Sequence, residues 1–459
     1  MNRSVLVLFF TVASVASAQS SSRAALVARL DSIAGGAVKA GIVPGMAVAV
    51  VKGRDTLLMK GYGLADLENK IAVTPQTVFR IGSITKQFTS STIMQLVQEG
   101  KLSLDDDITK YGLNFPTHGR KILLRHLLNH TSGIPSYTDV GNRFGTVMRM
   151  DLTHDSLIGV IAKDSLMFEP GSHFYYNNTG YFMLGMILEK IGGKKYGDYL
   201  AERLFSANAL GGTTYCETKK LIPNRAQGYD RDASGFSNAA WLSMELPYAA
   251  GSLCSTIGDL VNWTARLHSG RIVNAASFRE MTTPVKLPSG RPMSYGFGLS
   301  VDTVAGHRQI QHGGGINGFI SALNHLPDDS LTVVVLGNSS NSPSDAVAND
   351  LVRAVIGAPP RVPVAPKDLP TTADDRAKFA GRYALTRPDG SKQNVRVYEE
   401  NGSLMIQPDG QPGVRLASQG ENVWTGRGPG RIAFDIVGGR AVGFVQGGGA
   451  RTLEAVRVP

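Results

Sequence analysis

The chain has 459 residues, of which 42% are hydrophobic, 18% charged and 7% aromatic. This composition is typical of a globular protein with a large core, and it excludes a mostly disordered chain, a collagen-like repeat and a small disulfide-stapled scaffold. The formal net charge is +10 at pH 7, but the basic residues form no long run and no stripe interleaved with aromatic residues, so we expect no nucleic-acid partner.

The first 18 residues have the pattern of a secretory signal peptide. Arg3 supplies a positive charge, residues 5–15 are mostly apolar, and residues 16–18 are the small Ala-Ser-Ala that precedes a cleavage site. The apolar stretch is shorter than the roughly 20 residues that span a membrane, and Gln19 stands where a lipid-anchored protein has cysteine. We therefore expect cleavage near Ala18 and a secreted or periplasmic protein without a membrane span.

The predicted elements of the next domain, residues 19–356, are helices and strands in mixed order. Residues 24–39 have the pattern of a helix, and residues 46–51 and 55–63 that of a β-hairpin packed beside it. A long helical stretch follows, and residues 331–336 (LTVVVL) predict a buried strand near the end of the domain. Strands at both ends with helices between them indicate an α/β (α+β) fold in which the first and last strands of one sheet meet.

A proline-rich linker, residues 357–370, separates this domain from a second one, residues 371–459. The second domain alternates apolar and polar residues between glycine-rich turns, such as Asn401-Gly402. Its predicted strands are residues 393–399, 403–407, 431–437, 440–446 and 452–458. This pattern predicts a small antiparallel β domain that can close as a barrel.

The first candidate for chemistry is the segment Ser83-Ile84-Thr85-Lys86, which precedes a charge-free run at residues 87–98. A helix without charges is typically buried, so Lys86 would be a cation at the head of a buried helix. Because positions i and i+3 share a helix face, the Ser83 hydroxyl and the Lys86 amine can meet, and a partly desolvated lysine can activate a serine. The segment alone also fits a serine helix cap beside a surface lysine.

Two further segments carry groups that suit the same chemistry. Tyr176 and Asn178 are two residues apart, so an extended backbone can direct both side chains to one pocket. A phenol close to a lysine can accept a proton from serine, and the Asn178 amide can bind Lys86 or a substrate carbonyl. Residues 311–319 combine His312 with three consecutive glycines, whose backbone N–H groups can face an oxyanion.

These three elements, in this order, resemble the penicillin-recognising serine hydrolases. The closer similarity is to the branch of class C β-lactamases, serine D-alanyl-D-alanine carboxypeptidases, related esterases and D-aminopeptidases. The resemblance covers residues 24–357 and rests on the segments 78–86 (VFRIGSITK), 127–133 (LLNHTSG), 176–178 (YNN) and 312–314 (HGG). It implies a β-lactamase/transpeptidase-like antiparallel sheet flanked by helices, with an all-helical region, and it makes a lipocalin-like barrel plausible for the C-terminal β domain.

The resemblance also implies roles for the matching residues. Ser83 is expected to be the acylated nucleophile, and Lys86 and Tyr176 are expected to share the duties of base and acid. Asn178 is expected to help hold Lys86 and the substrate. No metal or organic cofactor is implied.

On the glycine-rich segment, the resemblance assigns supporting roles. His312 stands where many relatives carry lysine, so a substrate carboxylate would be bound less firmly, which favours esters and amides of broader type. Gly314 is expected to keep the strand edge open, and the N–H groups of Ser83 and Gly315 are expected to form the oxyanion hole. Asn177 stands where many relatives have serine or alanine, and we expect this difference to change little.

The predicted function is an exported serine hydrolase that acts through an acyl-enzyme on Ser83. A β-lactam, a D-Ala-D-Ala peptide, an N-terminal D-amino acid amide and a simple ester all remain open as its substrate. The alternative is a slow penicillin-binding or acyl-binding protein, or a scaffold without turnover. The expected partner is a small-molecule or peptide substrate, and the oligomeric state stays open.

Two pairs of residues remain outside this prediction. His126 and His130 have the i, i+4 spacing of a zinc helix, but Leu127 occupies the place of the required glutamate. We therefore interpret both histidines as structural, with His130 capping a turn. Cys216 and Cys254 lie in one domain of an exported protein, and both a disulfide and two free thiols are open.

Overall fold

The computed structural model describes residues 8–139, 145, 147–288, 293–361, 367–386, 392–426, 430–448 and 451–458. Within these ranges, side chains are described from residue 22 onward, apart from residues 139, 448, 451 and 452. Residues 1–7 of the predicted signal peptide and residues 362–366 of the predicted linker lie outside the described residues. Within the described part of the chain, every helix is too short or too polar to cross a membrane.

A seven-stranded antiparallel sheet forms the centre of the larger domain. Its strands are β1 Gly45–Lys52, β2 Asp55–Asp66, β3 Ile71–Ala72, β9 Ser300–Val304, β10 His307–Ile316, β11 Phe319–Leu326 and β12 Leu331–Gly337. They lie in the order β3-β2-β1-β12-β11-β10-β9. β1 pairs with β12 along its length, so the predicted meeting of the first and last strands is confirmed.

The sheet separates two apolar cores because neighbouring residues of a strand point to opposite faces. Ala47 and Ala49 of β1 belong to the larger core on one face, whereas Val48 and Val50 belong to the smaller core on the other face. Both central strands are buried almost throughout, which explains why their sequences are continuous apolar runs rather than alternating ones.

Helices cover both faces of the sheet, and one further short helix precedes the C-terminal strands. They are α1 Leu8–Lys39, α2 Thr85–Gln98, α3 Leu124–Leu128, α4 His154–Ile161, α5 Asn178–Gly192, α6 Tyr196–Leu200, α7 Tyr248–Gly251, α8 Ile257–His268, α9 Ala275–Met281, α10 Ser344–Val355 and α11 Ala373–Ala377. Short helical turns lie at Gly82–Ile84, Ile108–Tyr111, Tyr137–Asp139, Ala201–Phe205 and Ser206–Asn208. α1 and α10 pack on one face, and α8 contributes to the larger core on the other.

A small three-stranded sheet next to the Ser83 turn contains Cys254 and ends one residue before Cys216. Its strands are β4 Phe79–Arg80, β5 Thr214–Tyr215 and β8 Leu253–Ser255, in the order β4-β8-β5. A disulfide joins Cys216, just after β5, to Cys254 in β8, and Cys254 pairs with Arg80 of β4. The sequence left both a disulfide and two free thiols open, and the structure contains the disulfide. A separate hairpin is formed by β6 Tyr229–Asp232 and β7 Gly235–Asn238.

The C-terminal strands form a closed eight-stranded barrel, which confirms the predicted antiparallel β domain. The strands are β13 Gly381–Thr386, β14 Lys392–Glu400, β15 Ser403–Pro408, β16 Val414–Gly420, β17 Val423–Gly426, β18 Gly430–Val437, β19 Arg440–Gly448 and β20 Arg451–Val458. Buried aromatic side chains fill its interior, namely Phe379, Tyr383, Trp424, Phe434 and Phe444. This is the packed core of a small barrel.

Candidate active site

Ser83 lies on the tight turn Gly82–Ile84, which leads directly into α2. Gly82 has a positive φ of 50°, a conformation that glycine adopts without strain. A Cβ atom at Gly82 would lie 2.9 Å from the backbone nitrogen of Gly315 in β10. Glycine therefore permits the close approach that brings the Ser83 turn against the strand edge.

Lys86 lies behind Ser83 and is completely buried. Its Nζ atom is 3.0 Å from Ser83 Oγ, 2.8 Å from Asn178 Oδ1 and 2.8 Å from the carbonyl oxygen of Ala250. Burial lowers the pKa of Lys86 well below its ordinary value, because desolvation disfavours the ammonium form. The arrangement therefore offers a buried amine with reduced proton affinity at hydrogen-bond distance from a serine hydroxyl.

Tyr176 and Asn178 approach this pair from the start of α5. The centroid of the Tyr176 ring is 4.8 Å from Lys86 Nζ, and Tyr176 lines the same cavity as Ser83. Asn177 between them is buried and caps α5, since its Oδ1 atom accepts a hydrogen bond from the N–H of Gly180 at 2.7 Å. The cap ends the extended segment that contains Tyr176 and starts the helix that begins at Asn178, so these two side chains belong to different elements.

His312 of β10 is buried beside the cavity and is held by the protein through both ring nitrogens. Its Nδ1 atom lies 2.5 Å from the carbonyl oxygen of Gly313, and its Nε2 atom lies 2.8 Å from the hydroxyl of Tyr295. A carbonyl oxygen only accepts, so Nδ1 carries the proton and Nε2 accepts from Tyr295. Burial and the nearby Lys86 lower the pKa of His312 to about 3, so the ring is neutral at pH 7.

The glycines of β10 serve different contacts. A Cβ atom at Gly314 would lie 2.0 Å from the carbonyl oxygen of Ile81, so this glycine lets β10 pack against the residue that leads into the Ser83 turn. The Ser321 hydroxyl donates to the same carbonyl oxygen at 2.9 Å. Gly314 thus has a packing role in addition to the open strand edge expected for it. Gly315 places its backbone nitrogen beside Gly82, the residue that precedes Ser83.

A cavity of about 580 Å³ opens over these residues. Its described lining comprises Ser83, Phe174, Tyr176, Met293, Ser294, Tyr295, Ser300, Asp302, Gln311, His312, Gly313, Gly314, Gly315, Ile320 and Asp345. These residues include two carboxylates and no lysine or arginine. An oxygen of Asp345 would lie 3.2 Å from a Cβ atom at Gly313, so the absence of a side chain there leaves this carboxylate beside the strand.

Comparison with known proteins identifies the family of this site. Residues 30–358 match the family model described as Beta-lactamase, which is well over half of the chain. The chain belongs to the β-lactamase family. The predicted resemblance to the penicillin-recognising serine hydrolases is therefore confirmed, as is the β-lactamase/transpeptidase-like fold.

Three relatives of this β-lactamase-family chain are informative. A D-aminopeptidase from Brucella canis is 30% identical over 332 residues, which are 70% of this chain and 61% of the relative, so the match spans less than two thirds of that protein. The octameric penicillin-binding protein homologue from Pyrococcus abyssi superimposes with a TM-score of 0.65 at 25% identity, covering 94% and 99% of the two chains. A D-amino acid amidase from Ochrobactrum anthropi SV3, complexed with L-phenylalanine, superimposes with a TM-score of 0.62 at 26% identity, covering 72% of this chain and 97% of the amidase chain.

The structure brings all seven predicted site residues together, but it also adds partners that the sequence analysis missed. Ala250 contributes a backbone carbonyl, for which no side-chain pattern exists. Tyr295 has no recognisable motif around it, yet it orients His312. Asn177 could have been identified as a helix cap from its residue type, and His130 lies within the site although we interpreted it only as a turn residue.

Proposed function

We propose that this β-lactamase-family protein hydrolyses amides through an acyl-enzyme on Ser83, with D-amino acid amides that carry a free α-amino group as the preferred substrates. The observation that carries the proposal is the contact between the buried Lys86 amine and the Ser83 hydroxyl at 3.0 Å. The names of the relatives, D-aminopeptidase and D-amino acid amidase, support the substrate class.

The contacts of Lys86 define how it activates the nucleophile. A neutral amine has two N–H groups and one lone pair, and two acceptors, Asn178 Oδ1 and the Ala250 carbonyl oxygen, occupy the N–H groups. The lone pair then faces the Ser83 hydroxyl and accepts its proton. Because the amine has been desolvated in advance, it is available as a base at lower pH than a surface lysine.

The reaction proceeds in two steps. Ser83 Oγ bonds to the amide carbon while its proton passes to Lys86 or Tyr176, and the N–H groups of Ser83 and Gly315 stabilise the oxyanion. The C–N bond then breaks, and the leaving amine takes up the proton. A water molecule attacks the resulting ester, releases the carboxylic acid and restores the Ser83 hydroxyl.

The charges around the cavity support a substrate with an ammonium group rather than one recognised through a carboxylate. Asp302 and Asp345 are carboxylates in the described lining, and His312 is neutral. Asp302 is already held by the side-chain amides of Gln309 and Gln311, at 3.0 Å and 3.2 Å. Asp345 lies in the first turn of α10, and desolvation raises the pKa of its carboxyl above the ordinary value, while the helix dipole acts in the opposite direction.

A substrate panel tests the proposal. We expect kcat/KM to be highest for D-phenylalanine amide, lower for its L enantiomer and its N-acetyl derivative, and lowest for benzylpenicillin and a D-Ala-D-Ala peptide. Ser83→Ala should abolish turnover while the protein stays folded. A preference for the penicillin or the D-Ala-D-Ala peptide would contradict the proposed substrate class, and undiminished turnover by Ser83→Ala would contradict the serine mechanism.

Two charge variants provide the control for this panel. Asp345→Asn should lower kcat/KM for the free-amine amide about threefold, an effect typical of one exposed charge, and high salt should reduce the difference. Asp328→Asn makes the same charge change in the exposed turn between β11 and β12, at the end of β11 distant from the cavity. It should leave kcat/KM unchanged. Equal effects of the two variants would show that Asp345 does not act locally.

A second candidate function is a protein that binds penicillin and deacylates slowly. Its support is the similarity to the penicillin-binding protein homologue, which extends over 94% of this chain and so includes strands of the barrel. A long-lived penicillin adduct on Ser83, with no turnover of any amide, would favour this alternative.

We also propose that the chain is exported before it acts. The proposal is supported by the signal-peptide pattern of residues 1–18 and by the Cys216–Cys254 disulfide, since disulfides persist mainly in oxidising compartments. Expression of the full chain in a bacterium should give a periplasmic or secreted protein whose N-terminus follows Ala18. Retention in the cytosol with an intact N-terminus would contradict export.

A further inference from the structure

The turn that follows α3 contains a buried histidine in an unusual conformation. His130 has a positive φ of 62°, which non-glycine residues adopt rarely, and 1% of its surface is exposed. A residue held in this region often belongs to a functional site rather than to an ordinary turn. Asparagine or glycine would adopt the conformation of this turn more easily, so we infer that the imidazole ring of His130 has a role of its own.

The hydrogen bonds of His130 lie on either side of Tyr176. Its carbonyl oxygen accepts from the N–H of Tyr175 at 2.9 Å, and its Nδ1 atom accepts from the N–H of Asn177 at 3.0 Å. In an extended segment the N–H groups of alternate residues point to the same side. One residue therefore holds the backbone immediately before and immediately after the tyrosine.

The ring of His130 also packs on the tyrosine side chain. The two ring centroids are 4.3 Å apart with an angle of 42° between the planes. Tyr295 and Tyr181 lie against the same imidazole, at 4.7 Å and 5.2 Å. Tyr176 is thus enclosed between His130 and the Lys86 amine, which is 4.8 Å from the centroid of the tyrosine ring.

The protonation state of His130 follows from its surroundings. Burial lowers the pKa of His130 well below its ordinary value, and the nearby Lys86 and His312 lower it further because a second positive charge beside them would be repelled. Because Nδ1 accepts from Asn177, the single proton of the neutral ring is on Nε2, and among the described residues Nε2 has no hydrogen-bond partner. The ring therefore adds no charge next to Lys86, and its polar contact to the site is the one with the Tyr176 segment.

We propose that His130 is a positioning residue that sets the place of the Tyr176 phenol relative to Ser83 and Lys86. It acts through the paired hydrogen bonds that flank Tyr176 and through the contact of the two rings. The proposal rests on the proposed function, because it assigns Tyr176 a part in proton transfer. It goes beyond the structural interpretation of His130 in the sequence analysis, where only the turn was considered.

His126, which lies four residues earlier within α3, provides a matched control. Its Nδ1 atom also accepts a backbone hydrogen bond, from Leu123 at 3.2 Å, but its ring lies near Gly171, outside the cavity lining. His126→Ala therefore removes a comparable cap without touching the Tyr176 segment. Any effect that comes only from a weakened turn should be seen equally in His126→Ala and His130→Ala.

A double-mutant cycle tests the proposal. Two rates are measured for each variant: kcat for D-phenylalanine amide, and the labelling of Ser83 by a fluorophosphonate probe, which does not depend on the substrate class. His130→Ala should lower both by about 10- to 100-fold with little change in KM, since small displacements of a catalytic group have effects of this size. In the Tyr176→Phe background the same substitution should lower them by no more than about twofold.

His130→Asn keeps the test valid if His130→Ala does not fold. Asparagine tolerates the positive φ and can accept from Asn177, but it lacks the ring, so we expect wild-type stability and a three- to tenfold loss of kcat. The positioning role would be overturned if His130→Ala lowered the two rates by the same factor in the Tyr176→Phe background as in the wild-type background. Equal losses of rate in His126→Ala would overturn it as well. Absence of Ser83 labelling and of turnover in the wild-type protein would instead contradict the proposed function.

Discussion

Replacing Lys86 with methionine is expected to lower kcat/KM about 10³-fold and to abolish acylation of Ser83, while the protein remains folded. Methionine has nearly the length of lysine but no proton acceptor of comparable strength, so the Ser83 hydroxyl loses its base. Steady-state kinetics and intact mass spectrometry measure the two effects. The melting temperature and circular dichroism show whether the fold is retained.

Lys101→Met is the matched control for this substitution. Lys101 is exposed just after α2 and pairs with Glu99 at 2.8 Å, so its replacement should leave kcat/KM within about twofold of the wild-type value. Wild-type rates in Lys86→Met would contradict the assignment of Lys86 as the base. A loss in Lys101→Met would point instead to a general effect of charge.

The lowered pKa of Lys86 also predicts the direction of the pH dependence. In the proposed mechanism the base is the neutral amine, so kcat/KM should fall as pH falls through the lowered pKa. Unfolding restores an ordinary pKa of about 10.4, so the unfolded chain takes up a proton between the two values. The free energy of unfolding should therefore rise with pH over this interval, and Lys86→Met should lack that contribution.

Removal of the Cys216–Cys254 disulfide should give the largest loss of stability. The two cysteines are 38 residues apart, and closing a loop of that length in the unfolded chain corresponds to about 4 kcal/mol. The double variant Cys216→Ala/Cys254→Ala should lose about this much free energy of unfolding in urea titrations. Both positions are fully buried in a small apolar cluster, so alanine is the appropriate replacement.

The reduced wild-type protein is the control for the double variant, because it retains every side-chain atom of the sulfur pair. It should match the variant in stability. At 25 °C activity should persist, because backbone hydrogen bonds still connect β8 to the nucleophile segment, including the one from the N–H of Ile81 to the Leu253 carbonyl oxygen at 3.0 Å. A decrease in the free energy of unfolding of less than about 1 kcal/mol would show that the disulfide constrains the unfolded chain very little.

Local spacing accounts for what the sequence could predict of the site. Ser83 and Lys86 are three residues apart at the start of a helix, and Tyr176 and Asn178 lie on either side of the Asn177 helix cap, so local geometry brings each pair together. The contacts between segments were predictable only through the family resemblance. Ala250 illustrates what neither could show, because a backbone carbonyl is present at every residue.

The fold shows the same division between local and long-range information. The hairpins at Asn401-Gly402 and Gly438-Gly439 have strong turn sequences, and the strands beside them were predicted. β13, β16 and β17 were not, because β13 follows a helix without a hairpin turn, the pairing of β16 is interrupted by a bulge between Ser418 and Gly420, and β17 has only four residues. Their place in the sheet is decided by closure of the barrel, which a local pattern does not contain.

The central claim is that Ser83 is the nucleophile of an acyl-enzyme. Rapid-quench mass spectrometry after mixing the wild-type protein with an activated ester of D-phenylalanine tests it most directly, since peptide mapping locates the acyl group. We predict a phenylalanyl adduct on the peptide that contains Ser83, formed before steady state and absent in Ser83→Ala. Turnover of the ester at an undiminished rate in Ser83→Ala, or an adduct at another residue, would contradict the account.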